Sequence, residues 1–193
     1  MNNIFRIILI LLISPLLFFC QPTQINDDIE FDSNLFTKIS LNANTKIINP
    51  IYEAKYAEPY IDHSIKFTPL LRIHDWLDKN ISTFGSYNKL VIDILNASIV
   101  RKEQENKDSK KYEEKFIYYY ELNYEIILVL YDDKDSILAT TKVSSKHSTT
   151  SSKFISLNEK EIILENLIFD ALVDLSSQTE ILLKKHMIQY MLL

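Results

Sequence analysis

This sequence predicts an α+β fold, a two-layer sandwich in which a four-stranded, mainly antiparallel sheet carries two helices on one face. Three observations predict it. Over 116–131 Tyr118, Tyr120, Leu122, Tyr124, Ile126, Leu128 and Leu130 share one parity, and Glu121, Asn123 and Glu125 take the other. That period-two alternation marks a long, half-buried strand. Ser156-Leu157-Asn158-Glu159 is a capping box, in which the Ser and Glu side chains satisfy free amides at a helix start. Thr68-Pro69 opens a second helix with an N-cap hydroxyl and a proline at the first helical position. With the remaining apolar runs, the order becomes β-α-β-β-β-α, and packing both helices on one face buries every apolar stripe.

In chain order, Arg6 precedes an apolar run over 7–19, broken only by Ser14-Pro15. A charged start and a run of that length form a secretory signal over 1–20. It is short for a membrane span, which needs about 20 apolar residues, so an uncleaved anchor is the alternative. Cys20, the sole cysteine, ends the run. In a bacterial envelope protein that position points to lipidation of the thiol and attachment to a membrane, although Phe19 stands where a small residue is usual. Otherwise the thiol is incidental to the leader. One cysteine excludes an intramolecular disulfide.

Residues 21–45, rich in Asn, Asp, Thr and Ser with irregular apolar spacing, read as a flexible tether. The domain then runs over 46–193. Its first strand, 46–56, contains Pro50, which favours a sheet edge. After a loop through Asp62-His63, the first helix carries Leu70, Ile73, Trp76, Leu77, Ile81 and Phe84 on one stripe. Gly85, the only glycine, stands where a left-handed helix cap is wanted. A second strand covers 90–100, and the charged segment 101–114 is too polar to bury and reads as a hairpin loop. The long strand 116–131, the turn at Asp132-Asp133-Lys134-Asp135 and a last strand over 136–148 follow. Leu164, Leu167, Ile168, Ala171, Leu172, Leu175, Thr179, Leu182 and Leu183 then continue the capping-box helix to about Tyr190. At about 50 Å it outruns a ten-residue strand of about 33 Å. Its apolar end (Met187, Ile188, Tyr190 and Met191) is therefore a candidate partner-binding surface; the alternative is that the last turn folds back onto the N-terminal tether.

Composition narrows the function. The net charge is −5, and removing the leader takes away only Arg6, a balance that argues against a nucleic-acid surface. A single glycine excludes Gly-rich phosphate loops, and there is no Cys pair, His-x-x-x-His or Gly-x-Ser-x-Gly. No cofactor or metal site is expected. Among the four histidines, Asp62-His63 places a carboxylate beside an imidazole, the pairing a general base uses. His74-Asp75 lies inside the first helix, where neighbours point apart. Lys146-His147 sits among nine hydroxyl residues between Thr140 and Ser152, an exposed strand end. His186 suits the C-terminal end of its helix, and Trp76 belongs to the core stripe.

Pro59-Tyr60-Ile61-Asp62-His63, Pro69, Trp76, Gly85, Ile94-Leu95-Asn96-Ala97-Ser98-Ile99-Val100 and Leu157-Asn158-Glu159-Lys160-Glu161 resemble a family of small exported proteobacterial envelope proteins. The resemblance runs from about Lys46 to the C-terminus and brings no catalytic residues. The element order is also similar to the lipoprotein family that plugs the lipopolysaccharide translocon and to auxiliary lipoproteins of envelope transporters. Gln21 stands after Cys20 where the translocon plug has Gly. Leader, tether and the poverty of catalytic motifs imply an exported, non-catalytic binding or assembly module of the envelope. It would sit in the periplasm or be anchored through Cys20 or the N-terminal apolar segment, with an envelope protein or lipid as partner. The alternative is an exported hydrolase using His63 with Asp62.

Overall fold

Residues 31, 35–107, 109–110, 112 and 114–192 are described by the computed structural model, a compact unit from Phe31 onward. The leader 1–20, Cys20 and residues 21–30 lie outside the described residues. The elements are β1 (Ile39–Leu41), β2 (Thr45–Pro50), α1 (Pro69–Asn80), β3 (Ile81–Thr83), β4 (Lys89–Glu105), β5 (Phe116–Tyr131), β6 (Ile137–Ser151) and α2 (Leu157–His186). The fold is α+β, an open four-stranded mixed sheet in the order β2-β4-β5-β6 with two helices. Two of its pairings, β4–β5 and β5–β6, are antiparallel. β2 and β4 are parallel, because α1 lies between them in sequence as a crossover and returns the chain to the same end of the sheet.

β5 spans the residues its alternation predicts. Tyr120, Leu122, Tyr124, Ile126, Leu128 and Leu130 are buried under both helices, in one cluster with Leu90, Ile92 and Ile94 of β4, Ile73, Trp76 and Leu77 of α1, and the α2 stripe from Leu164 to Leu183. A bulge at Ile94–Asn96 shifts the β4 register by one, so Ala97 and Ile99 take over its buried face. Tyr124 donates its hydroxyl to the Pro69 carbonyl at 3.1 Å, pinning the start of α1 to the sheet. The opposite sheet face is wet and ionic. Glu121 meets Lys146 at 2.9 Å and Glu125 meets Lys142 at 2.7 Å, and the Lys146 hydrogen bond holds the Glu121 carboxyl below its usual range.

Both helix starts follow the sequence. Thr68 accepts from the Leu71 amide, and Ser156 and Glu159 form the reciprocal capping box. The end of α1 does not follow it. The helix stops at Asn80, where the Lys46 ammonium donates to the carbonyls of Leu77, Asp78 and Ile81 at 3.2, 2.8 and 2.8 Å. A cation from β2 thus satisfies the free carbonyls expected to meet a glycine cap. Gly85 lies beyond, and its backbone is not left-handed. Its role is proximity: a Cβ there would lie 2.3 Å from Asn42 Oδ1 and 3.0 Å from the Ala43 nitrogen.

The tether expected to reach Thr45 stops sooner. Phe36, Ile39, Leu41 and Ala43 are buried, and β1 pairs in parallel with β3. Thr37 meets α2, its amide donating to Ser176 Oγ at 3.1 Å and its hydroxyl to Glu180 at 3.0 Å. Apolar spacing in 35–43 is irregular because these residues form a three-residue strand and two bends, too short for a period to register.

The C-terminal end is also corrected. Met187 is fully buried. Tyr190 and Met191 turn back to β1, with the Asn42 amide donating to the Tyr190 carbonyl at 2.7 Å and the Leu192 amide to Ser40 at 2.9 Å. Of the four residues expected to reach outward, Ile188 alone is exposed, at 61%. Nor does the helix outrun the sheet: the 30 residues of α2 span about 45 Å, the 16 of β5 about 53 Å. The excess sheet lies at the opposite end.

Candidate functional site

That excess is built from residues read as a loop. β4 continues through Arg101, Lys102, Glu103, Gln104 and Glu105, paired to Phe116–Tyr120 of β5. Charged and polar residues fit there because Lys102, Glu103, Gln104 and Glu105 are all exposed, the last two beyond the end of β6, so nothing forces alternation. Asn106 closes it, its amide donating to the Lys115 carbonyl at 2.8 Å and its side chain to Glu114 at 3.2 Å.

Beside this hairpin lies a recess of about 380 Å³ lined by Glu58, Pro59, Ile61, Arg101, Glu103 and Tyr118. Its wall is the 57–61 loop, which follows the outer edge of β4 after β2 ends. The Ile61 amide donates to Ile99 and the Arg101 amide to Pro59, at 3.0 and 2.8 Å. Arg101 and Tyr118 make the lining cationic and aromatic, and Lys153 stands close by. The Arg101 guanidinium lies 4.7 Å and the Lys153 ammonium 5.5 Å from the Tyr118 ring centre, close enough for cation–π attraction. Arg101 also meets Glu58 at 3.4 Å and Lys153 meets Glu103 at 2.7 Å. The hydrogen bond to Glu103 raises the Lys153 pKa.

The rim joins the hairpin tip to the connection between β6 and α2. Glu114 accepts from Ser152 Oγ at 2.5 Å and from the Lys153 amide at 2.8 Å, and Lys153 reaches to 6.0 Å from the Phe116 ring centre. Phe154 and Leu157 follow, 88% and 71% exposed, and Phe116, on the other side of Lys153, is half-exposed.

The sequence-predicted pair Asp62-His63 is not brought together as a catalytic unit. Asp62 is buried and serves the backbone: it accepts from the Ile99 amide at 2.7 Å and from the Tyr52 hydroxyl in a short hydrogen bond. Burial, then the Asp62 carboxylate, pushes the Tyr52 hydroxyl well above its usual pKa. His63 is exposed, its Nδ1 3.3 Å from the Lys55 carbonyl and its ring 5.5 Å from that of Tyr56. Asp62 is therefore a clamp that holds the 57–64 loop on β4, and the hydrolase geometry is not assembled. His147 lies 3.5 Å from Asp174 of α2, and Lys146 is engaged by Glu121. Trp76 is core, 3% exposed. Among the described residues no cluster could hold a metal ion.

No protein-family model matches the chain, and no curated protein matches it. Among solved structures, it is similar to a minor lipoprotein from Acinetobacter baumannii, with 10% identity and a TM-score of 0.39 over 72% of this chain and 89% of that one. It is likewise similar to rare lipoprotein B from Shewanella oneidensis, with 13% identity and a TM-score of 0.38 over 71% and 93%. Neither likeness is close enough to assign a role.

Proposed function

We propose that the chain is a non-catalytic binding or assembly module of the bacterial envelope, exported and held at a membrane through Cys20 or the N-terminal apolar segment. The recess beside the hairpin carries the reading. Arg101, Glu58, Glu103 and Lys153 are each held by an opposite charge, so these groups are set to exchange partners rather than to activate a nucleophile. Aromatic and Arg surfaces of this kind suit recognition. The N-terminal pattern of Arg6, the 7–19 apolar run and Cys20 supports export and attachment. The partner is an envelope protein or a lipid that meets the recess.

Photo-crosslinking in cells tests it, with the crosslinking residue at Lys102, which also lines the recess, and a control at Tyr87, which is 72% exposed elsewhere. The reading expects membrane fractionation and a discrete adduct at 102 absent at 87. A chain found free of membranes, or adducts identical at both positions, would overturn it. Mass spectrometry of the mature N-terminus reports whether Cys20 carries a lipid.

A further inference from the structure

We infer that the rim formed by Phe116, Phe154 and Leu157 docks on the lipid surface to which the chain is tethered, so that the hairpin end faces the bilayer. This rests on the membrane-held reading above and adds an orientation to it. Exposure is the first ground. Phe154 at 88% and Leu157 at 71% are adjacent in sequence to the helix cap, and Phe116 at 50% joins them through Lys153 and Glu114. Apolar and aromatic side chains gathered with lysines are what membrane interfaces favour.

The path of the N-terminal segment is the second ground, and it is independent. Thr37 is level with Ser176 and Glu180 of α2. Moving back along the chain, the Phe36 ring lies 5.8 Å and the Phe31 ring 5.0 Å from the Phe169 ring. Phe31 also lies under Arg72, 4.2 Å away, and Arg72 meets Glu165 at 2.9 Å. The segment therefore climbs α2 from Glu180 toward Glu165, about 22 Å along the helix axis, heading for Leu157 and the rim. Another eight residues of α2, about 12 Å, reach the rim. Residues 21–30 can span at most about 35 Å, so a membrane attachment at Cys20 keeps the rim within reach of the same surface. From the level of Glu165 the rim is about 12 Å along α2 and the helix end at His186 about 32 Å, so the rim is the nearer end.

Charge at the rim is mixed. Lys115 and Lys153 stand among Glu103, Glu105 and Glu114, so docking depends on the apolar side chains more than on anionic lipid, and added salt should weaken it little.

The test uses the full chain isolated from bacterial membranes and reconstituted in phosphatidylethanolamine–phosphatidylglycerol vesicles with brominated acyl chains. Two tryptophan probes are compared, Phe154→Trp at the rim and Phe84→Trp at the far end, where Phe84 is 66% exposed. Trp76 is buried and common to both. Quenching of the Phe154→Trp probe, none of the Phe84→Trp probe, and loss of the rim signal when Leu157→Ser and Phe116→Ser are added would support docking. Four results overturn it. Vesicle-bound chain with neither probe quenched refutes the orientation but leaves attachment standing. Stronger quenching at Phe84→Trp inverts the orientation. A rim probe unquenched by lipid, yet shielded from iodide when an envelope extract is added, assigns the surface to a protein. Chain that fails to remain with the vesicles removes the membrane-held reading itself.

Discussion

The two ends of the sheet are built in opposite ways. At one, β1, β3, the Gly85 loop and the C-terminal turn knit into a closed plug. Met187, Leu41 and Ile81 are fully buried there, and backbone hydrogen bonds link Asn42 to Tyr190, Phe84 to Leu41 and Leu192 to Ser40. At the other, β4 and β5 run on to Glu105 and Phe116, Lys153 of the β6–α2 connection pairs with Glu103, and Phe154 and Leu157 stand in water. Apolar surface removed from water contributes about 25 cal/mol per Å², whereas an exposed ion pair contributes about 0–1 kcal/mol. Stability is thus concentrated at the closed end, and the open end is left with groups that can change partners at little cost to the fold.

The largest expected effect comes from breaking the plug. Met187→Asp would place an unpaired carboxylate at a site with no solvent exposure. Leaving a buried charge uncompensated costs about 3–5 kcal/mol, a large share of a domain's roughly 5–15 kcal/mol. Thermal denaturation of the variant should show a lost or strongly lowered transition. A melting temperature within a few degrees of wild type would mean that the C-terminal turn does not close the core.

A milder break is Gly85→Ala. The new Cβ meets Asn42 Oδ1 and the Ala43 backbone nitrogen. The side-chain amide can swing aside, but the strand backbone moves only with β1. Overpacking of this kind costs about 1–3 kcal/mol, and the lower half of that range is expected because the nearest of the three contacts is a side chain that can move while the two backbone atoms lie at 3.0 and 3.2 Å. Urea unfolding would read it as a lower midpoint with unchanged slope. An unchanged midpoint would show that β1 is only loosely held.

The difference between the ends also explains what the sequence made legible. β5 was readable because one face is buried and the other wet along most of its length, and both helix starts because caps are local chemistry. The recess was not. Arg101, Glu103 and Tyr118 meet across β4 and β5, and pairing between distant segments leaves no spacing to detect. The five charged or polar residues after Val100 looked like a loop because a wet strand has no apolar parity. An alternative signal was present: Tyr118, Tyr119 and Tyr120 need a neighbouring strand, and an extended β4 supplies it. The closed end was misread for the converse reason. Its strands have three residues each, too few to alternate, and the apolar C-terminal end looked exposed because its cover lies about 150 residues earlier in the chain.

Between the ends, the wet sheet face offers a smaller, pH-dependent test. Glu121 has its carboxyl pKa lowered from 4.5, chiefly by the Lys146 hydrogen bond. A depressed carboxylate pKa adds stability above the unfolded-state value, and that stability is lost as pH falls through the lowered folded value. Lys146→Met should therefore cost up to about 1 kcal/mol at neutral pH. Its difference from wild type should shrink as pH falls below 4.5 and vanish once Glu121 is protonated in both states. Paired melting curves from pH 7 to pH 2 read this directly. A difference independent of pH would assign the effect to the Lys stem packing on its neighbours, not to the ion pair.

The smallest effect is expected at the rim, and its smallness is informative. Phe154 is 88% exposed, so replacing it with Ser removes little buried surface. Its amide hydrogen bond to Ser152 Oγ, at 3.2 Å, is made by the backbone and survives the change. Surface substitutions without a buried partner fall within about ±0.5 kcal/mol, so Phe154→Ser should melt with wild type. The docking inferred above gives this ring a role outside the fold, and an unchanged melting temperature is what that reading requires. If Phe154→Ser instead lowered stability by more than 1 kcal/mol, the ring would be packing against the hairpin, and the contrast between a closed, stabilising end and an open, contact-making end would fail where it is sharpest.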